Sequence, residues 1–324
     1  MPSAKQTRKL WAIALYAGIL LAVRVGIAQS GIAASLGAHF RPALLSFALL
    51  LAPLWFFGFR LDEWLAQQLR PSWALAVFPT LLGTSYLVFA IPTGNLRWVM
   101  MFSIFLLPVM LAVVLEWTSA WPKLVWQDAV VLGTLSLIYL LRLLTSAWPY
   151  AGLSVLPKLY VADLALYLYL VVRKLGGVGY SFSPKLSAFL VGLREWVYFL
   201  PIGIGLGAAL RFIHFHARVP SGLDFLSEVL ATFLLVAVPE EVFFRGILQN
   251  LLETRLGSNA ALLLAAVLFG LSHLNKRASF NWRYVLLAAI AGIFYGRAWR
   301  ARRQVLASSI THTAVDVVWS LWFR

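Results

Sequence analysis

Leu230–Gly246 reads LATFLLVAVPEEVFFRG, an apolar run interrupted by Pro239, Glu240, Glu241 and Arg245. The run is long and greasy enough to span a bilayer, yet it holds two carboxylates and a guanidinium. A charge at mid-bilayer costs about 2.5–3.5 kcal/mol on insertion scales, so an ionisable cluster in such a run marks a functional site. Helical geometry assigns the charges different partners. Glu241 and Arg245 share a face at i,i+4, with Glu N-terminal to Arg, the favourable order for an ion pair. Glu240 lies about 100° further round the helix and cannot share that partner as easily. Pro239 lacks an amide hydrogen and is expected to kink or unwind the helix beside Glu240.

The rest of the chain has the same character. Its 324 residues are 61% hydrophobic and 12% charged, against about 25% charged in a soluble domain. The composition predicts an all-α, polytopic transmembrane helical bundle. Eleven stretches are candidate spans: 11–29, 42–59, 73–91, 98–117, 128–146, 155–172, 193–211, 223–251, 259–274, 284–299 and 305–322. Eight to eleven of them are expected to cross. The weakest is 155–172, which contains Pro157, Lys158 and Asp163.

The net charge of +15 does not point to nucleic acid, because the basic residues are scattered between apolar runs. Lys and Arg beside anionic lipid explain it. Their distribution over the loops favours a cytoplasmic N-terminus, with Lys5, Arg8, Lys9, Arg70 and Arg300 inside and Arg218, Lys276 and Arg277 outside. Fourteen Trp suit interfacial belts, and the absence of Cys excludes disulfides, thiolate metal sites and a Cys nucleophile.

A Gly- and Ser-containing connection at 175–192 separates residues 1–189, chemically quiet accessory helices, from residues 190–324, which hold the candidate chemistry. Beyond Arg245, Gln249, Asn250, Glu253 and Arg255 alternate with leucines, as in a helix leaving the membrane. Gly257 should stop it and Ser258 or Asn259 cap the next helix. Gly292 and Gly296 form a small-xxx-small pattern, which reads as close helix packing.

His39, His214 and His216 read as loop residues. His273 ends an apolar run and His312 sits inside another. A lone His on an apolar helix is ordinarily a hydrogen-bonded core residue. His312, however, has Asp316 one turn on, and a carboxylate there can orient the imidazole or join it as a metal ligand. Lipid cannot satisfy these groups, so Glu240, Glu241, Arg245, His273, His312 and Asp316 should converge inside the bundle. The set can supply a general base that activates water. It can also supply a three-ligand N/O site, His273, His312 and Asp316, suited to Zn²⁺. Ser272 is not expected to act as nucleophile, because adjacent helical residues do not face each other.

In this order, Glu240-Glu241-x-x-x-Arg245, Phe269-x-x-x-His273 and His312-x-x-x-Asp316 resemble the motif series of the CPBP family. These are the CAAX-protease and bacteriocin-processing (Abi) intramembrane peptidases. The resemblance covers about residues 190–324 and implies hydrolysis of a peptide bond in a membrane-anchored protein or peptide. It implies that Glu240 activates water, Glu241 pairs with Arg245, His273 and His312 bind metal or stabilise the oxyanion, and Asp316 supports them. The family is described both as metallopeptidase and as glutamate-dependent. The alternative is a non-catalytic immunity or scaffold protein on the same fold. A proton-coupled transporter is a third reading, but the chain has no inverted repeat.

Overall fold

A computed structural model describes residues 4–29, 32–69, 72–118, 121–150, 152–183, 185–217, 219–276 and 280–323. Of the loop cations read from the sequence, Arg70, Arg218 and Arg277 lie outside these residues, as do the side chains of Lys5, Arg8 and Lys9.

The described chain is helical throughout, apart from one isolated bridge between Phe215 and Phe323. All eleven apolar stretches fall on helices. By length and composition, six helices are long and apolar enough to cross a membrane: Ala33–Gly58, Ser72–Thr93, Trp98–Glu116, Val155–Val172, Leu186–Ala209 and Gly222–Leu256. Exposed Leu, Val, Phe and Trp side chains cover their outer faces, for example Val99, Phe102 and Leu106, or Leu186, Leu190 and Val197. Such a surface suits lipid rather than water. The protein is an integral membrane protein.

The chain divides into two compact units. The first, residues 1–121 and 125–174, holds α1 (Ala4–Gln29), α2 (Ile32–Leu36), α3 (Phe40–Gly58), α4 (Leu61–Gln68), α5 (Ser72–Val77), α6 (Thr84–Thr93), α7 (Trp98–Glu116), α8 (Trp126–Leu140) and α9 (Val155–Leu166). The stretch that reads weakest in the sequence, α9 with its π-helical extension Tyr167–Val172, is the most buried candidate span of the chain. Its polar side chains face protein rather than lipid. Asp163 is fully buried, and Tyr160 donates to the Ile104 carbonyl at 2.6 Å. Arg173 Nε reaches Asp128 Oδ1 at 3.0 Å, and Asp128 Oδ2 accepts from the Val125 amide at the start of α8.

The second unit, residues 122–124 and 175–324, holds α10 (Leu186–Ala209), α11 (Gly222–Thr232), α12 (Val238–Glu241), α13 (Asn250–Leu256), α14 (Ser258–Leu271), α15 (Trp282–Arg302) and α16 (Val305–Trp322). Helix α10 begins at Leu186, earlier than its hydropathy suggests, so the connection from the first unit is shorter than 175–192. Helix α15 packs on α14, α10 and α16. Its link to α16 is Arg303-Gln304, too short for anything but a reversal of direction.

Gly222–Leu256 is one helical path of 35 residues. It is not unwound at Pro239. Two π-helical segments, Phe233–Ala237 and Val242–Gln249, flank α12, and the first absorbs the missing amide hydrogen of Pro239. Gln249 and Asn250 do not emerge at an interface. Both are buried, and Asn250 Nδ2 donates to the Gly176 carbonyl at 2.8 Å. Gly257, with φ of 76°, occupies the N-cap position of α14 in place of Ser258 or Asn259, and makes no side-chain cap. The small-xxx-small reading holds: a Cβ on Gly296 would lie 2.3 Å from Leu262 Cδ1.

The segment before α10 is fastened to the α15–α16 turn. Val305 N donates to the Gly179 carbonyl at 3.0 Å, and Trp299 Nε1 donates to the Val178 carbonyl at 3.1 Å. Gly179 has φ of +72°, and a Cβ there would stand 2.0 Å from the Arg303 carbonyl oxygen, a backbone atom that cannot swing aside. Gly179→Ala should therefore cost about 1–3 kcal/mol from overpacking alone. Gly205, in α10 with nothing within 4 Å of a built Cβ, is the control. Gly205→Ala should hold or raise the thermal midpoint in detergent, whereas Gly179→Ala should lower it clearly. Equal midpoints would contradict this reading of the turn.

Candidate active site

Four helical paths of the second unit each bring one part of the site. The 222–256 path carries Glu240 and Glu241 on α12 and Arg245 in the π segment that follows. Helix α14 contributes Phe269, and the turn after it contributes His273, whose amide donates to the Gly270 carbonyl. Helix α15 contributes Tyr295 and the Gly292 carbonyl, and α16 contributes His312 and Asp316.

Arg245 and Glu241 form the buried centre, both with 0% of the side chain exposed. Arg245 Nη1 donates to Glu241 Oε1 at 2.7 Å and Nη2 to the Gly292 carbonyl at 3.2 Å. The guanidinium stands 4.3 Å from the Phe269 ring centroid and 5.2 Å from that of Tyr295. Desolvated cation–π contacts of this kind are worth about 2 kcal/mol. Glycine at 292 eases this packing, since a Cβ would lie 3.1 Å from Nη2 and 3.2 Å from the Ala266 Cα, tighter than ordinary contact.

Glu241 Oε1 also faces His312 Nδ1 at 2.8 Å, so one oxygen joins the guanidinium to the imidazole. The His312 ring stacks on Tyr295 at 4.6 Å and meets Phe269 edge-on. Its other nitrogen, Nε2, lies 3.5 Å from Asp316 Oδ2 and 3.9 Å from Glu240 Oε2. Glu240 points away from Arg245, as helix geometry suggests, and the ion pair does not consume it. Asp316 departs from the expectation of full burial: its side chain is 30% exposed.

His273 sits on the other side of Phe269. Its Nδ1 is 2.9 Å from the Phe269 carbonyl oxygen, which requires the proton on Nδ1. Nε2 then accepts, and the Lys276 ammonium donates to it at 3.0 Å. Lys276 Nζ is also 3.9 Å from Glu240 Oε1. The expected separation of Ser272 from His273 does not hold, because both lie in a turn rather than on a regular helix. Ser272 Oγ is 3.0 Å from Nδ1, but its own proton goes to the Phe269 carbonyl at 2.7 Å, and no base receives it.

Sequence reading overlooked Lys276. It follows His273 by three residues, the spacing of one helical turn, and that signal was available. Its position just past an apolar run made it look like an outside loop charge. Tyr295 was overlooked because an aromatic on an apolar helix carries no distinguishing pattern.

His273, His312 and Asp316 line one cavity, but the imidazole nitrogens are differently engaged. His273 Nε2 faces an ammonium, and His312 Nδ1 faces Glu241. Among the described residues, no group of three His, Asp or Glu side chains is placed to hold a metal ion.

A cavity of about 90 Å³ adjoins the site. His273, His312 and Asp316 supply its polar wall. Trp196, Phe199 and Leu200 of α10, Ala288 and Ala291 of α15, and Val315 and Trp319 of α16 supply apolar wall.

Residues 222–318 match the family described as type II CAAX prenyl endopeptidase Rce1-like. Comparison with curated proteins and with solved structures finds no match. The matched segment runs from α11 into α16 and contains Glu240, Glu241, Arg245, Phe269, His273, Lys276, Tyr295, His312 and Asp316, but not α10, which supplies part of the cavity wall. This match is consistent with the CAAX-protease family.

The two glutamates should respond differently to removal. Arg245→Ala leaves Glu241 buried without its cation, a change that costs about 3–5 kcal/mol when one partner of a buried pair is lost. Folded yield from membranes should drop sharply. Arg245→Lys should rescue only in part, since a single ammonium cannot span Glu241 and Gly292 as the fork does. Glu240→Gln should leave yield nearly unchanged, measured as monodisperse protein after extraction. Similar yields for Arg245→Ala and Glu240→Gln would contradict the division drawn here.

Proposed function

We propose that the protein is an intramembrane endopeptidase in which Glu240 activates water against a peptide carbonyl of a membrane-anchored substrate. The observation that carries this reading is the contrast between adjacent carboxylates. Glu241 is bound to Arg245 and His312 in the buried centre, whereas Glu240, one residue earlier, lies 3.9 Å from both His312 Nε2 and Lys276 Nζ. Separations of this kind suit groups that meet through water or substrate.

In this scheme the Glu240 carboxylate takes a proton from water as the oxygen attacks the carbonyl carbon. The carbonyl π bond opens to an oxyanion. When the tetrahedral intermediate collapses, the C–N bond breaks and Glu240 returns the proton to the leaving amine. Glu241, Arg245, Phe269 and Tyr295 hold His312, which in turn faces Glu240. The apolar cavity accepts hydrophobic substrate, in keeping with the prenylated peptides that the family description names.

The glutamate-dependent form is favoured over the Zn²⁺ form by the donor chemistry. Lys276 brings a fixed positive charge to the nitrogen that a metal would need from His273. The lysine, not a metal, is then the cation beside Glu240.

Two measurements test this reading. Glu240→Gln protein, expressed in place of the wild type, should accumulate uncleaved substrate, identified by mass spectrometry of the membrane proteins retained with it. No enrichment over wild type would favour a scaffold role. Purified wild type should retain peptidase turnover after exhaustive treatment with a strong chelator, with metal well below stoichiometric by elemental analysis. Loss of turnover restored by Zn²⁺ would overturn the metal-free form and leave Glu240 in place.

A further inference from the structure

We propose that Arg194, Glu195 and Arg297 form a seat for the phosphate of an anionic phospholipid, at the seam between α10 and α15. None of the three belongs to the hydrolytic site, and the inference does not depend on the peptidase reading.

Glu195 lies inside a membrane span with its side chain 1% exposed, and the chemistry around Glu240 does not use it. Two arginines hold it. Arg194 directs Nε and Nη2 to Glu195 Oε1 at 3.2 and 2.7 Å. Arg297 of α15 brings its Nε to 3.0 Å from Oε2. One carboxylate thus fixes two guanidinium groups, and positive charge is left over. Donors are left over as well. Among the described residues, no hydrogen bond engages Nη1 of Arg194 or either Nη of Arg297. The two arginine side chains are 49% and 41% exposed, so a ligand can approach them from outside.

The surroundings decide which ligand. Leu190, Val197 and Tyr198 lie three or four residues from Arg194, share its face of α10, and are exposed. Such a face belongs against acyl chains. Rings of Tyr198 and Phe294 stand 6.0 and 5.4 Å from the Arg297 guanidinium. Helix α10 starts at the end of the unit where α15 finishes, because Val305, just past α15, bonds to Gly179, just before α10. Arg194 is eight residues after Leu186, and Arg297 is five residues before Arg302. At 1.5 Å per residue they stand about 12 and 8 Å inside that end. From there an arginine extends its head toward the headgroup level. A soluble anion would have to cross an apolar surface to arrive. A phospholipid brings its phosphate to that depth and lays its chains along Leu190, Val197 and Tyr198. Guanidinium forks match phosphate oxygens in pairs. The surplus positive charge selects a headgroup of net negative charge over a zwitterionic one, whose own cation it repels. Lys185 and Arg302, exposed at the same end, add to the attraction. Since the two arginines come from different helices, an occupied seat ties α10 to α15. These helices supply Trp196, Phe199, Ala288 and Ala291 to the cavity wall.

The test places full-length wild type, Arg194→Gln, Arg297→Gln and Arg302→Gln in nanodiscs of phosphatidylcholine, with and without phosphatidylglycerol. Native mass spectrometry counts the phospholipid retained on the released protein. The second readout is the gain in thermal midpoint that phosphatidylglycerol confers over phosphatidylcholine alone. Each seat variant leaves Glu195 one arginine, so the buried carboxylate stays paired, and a purely structural loss lowers the midpoint equally in both lipids. Wild type should retain phosphatidylglycerol preferentially and gain in midpoint. Arg194→Gln and Arg297→Gln should each retain about fivefold less of it, the factor that one arginine contributes beside anionic lipid, and lose most of the gain. Arg302→Gln, which removes the same charge from the same end but outside the seat, should keep both. No preference in wild type would overturn the proposal, as would an equal preference in all four proteins. An equal loss in Arg302→Gln would reduce the effect to diffuse attraction and reject the seat. Inorganic phosphate added to phosphatidylcholine nanodiscs should leave the midpoint unchanged. A rise matching that from phosphatidylglycerol would make the site one for a free anion and reject the lipid.

Discussion

The buried contact between Arg245 and Glu241 is the constraint on which the second unit depends. Two full charges without exposure to water are costly unless other groups engage them; among the described residues, Arg245 Nε and Glu241 Oε2 have no hydrogen-bond partner, but the other polar atoms of the pair do. Those demands recruit the rest of the site. The second Nη needs an acceptor, which the Gly292 carbonyl supplies from α15. The faces of the guanidinium need polarisable surface, which Phe269 and Tyr295 supply from α14 and α15. Glu241 Oε1 has capacity for a second donor, and His312 of α16 takes it. One ion pair thus fixes the relative placement of four helical paths. Arginine suits the role because its planar fork addresses several partners at once.

The helix that carries the pair is distorted where it matters. A π segment inserts an extra residue into a turn and rotates everything beyond it, and such segments are costly enough to be rare outside functional sites. Here two of them bracket the four residues of α12. The first follows from Pro239, which cannot donate to the carbonyl one turn earlier. The second begins after Glu241, so the i,i+4 contact with Arg245 forms inside the widened turn. An undistorted helix through the same residues would keep the pair but would change the angle at which Gln249 and Asn250 are presented. In the structure both are buried, Asn250 on Gly176 and Gln249 against Gly296.

The sequence declared what the bilayer punishes most. Eleven apolar runs are visible because hydropathy is a sum over many residues and tolerates local error. The ion pair is visible because i,i+4 spacing survives in the structure at 2.7 Å. Other features were hidden because they depend on neighbours far along the chain. Asp163 weakened the reading of its span, since a carboxylate facing lipid would be prohibitive, yet it is wholly covered by protein. Asp316 looked buried by its place in an apolar helix, yet it lines a cavity. Lys276 looked like a loop charge because the apolar run ends at His273, while the turn that folds it back onto Nε2 has no hydropathic signature. The engagement of the imidazole nitrogens was hidden for the same reason. Motif spacing says which residues share a helix, not which nitrogen of an imidazole is already engaged.

The site is graded from rigid to accessible. Exposure is 0% for Glu241 and Arg245, 2% for His312, 6% for Glu240, 26% for the Lys276 side chain and 30% for that of Asp316. Preorganised dipoles stabilise a developing charge only if they do not rearrange when it appears, so the buried end must be immobile. Substrate must still enter, so the outer end must be open to the cavity. The carboxylates obey the same gradient. Glu241, deepest, is neutralised by a permanent cation within the fold. Glu240, one residue earlier, lies 3.9 Å from the His312 imidazole and from the Lys276 ammonium. Adjacent positions let one helix present two carboxylates, one bound to Arg245 and the other beside His312 Nε2 and Lys276 Nζ. The roughly 100° between neighbouring side chains turns them toward different neighbours.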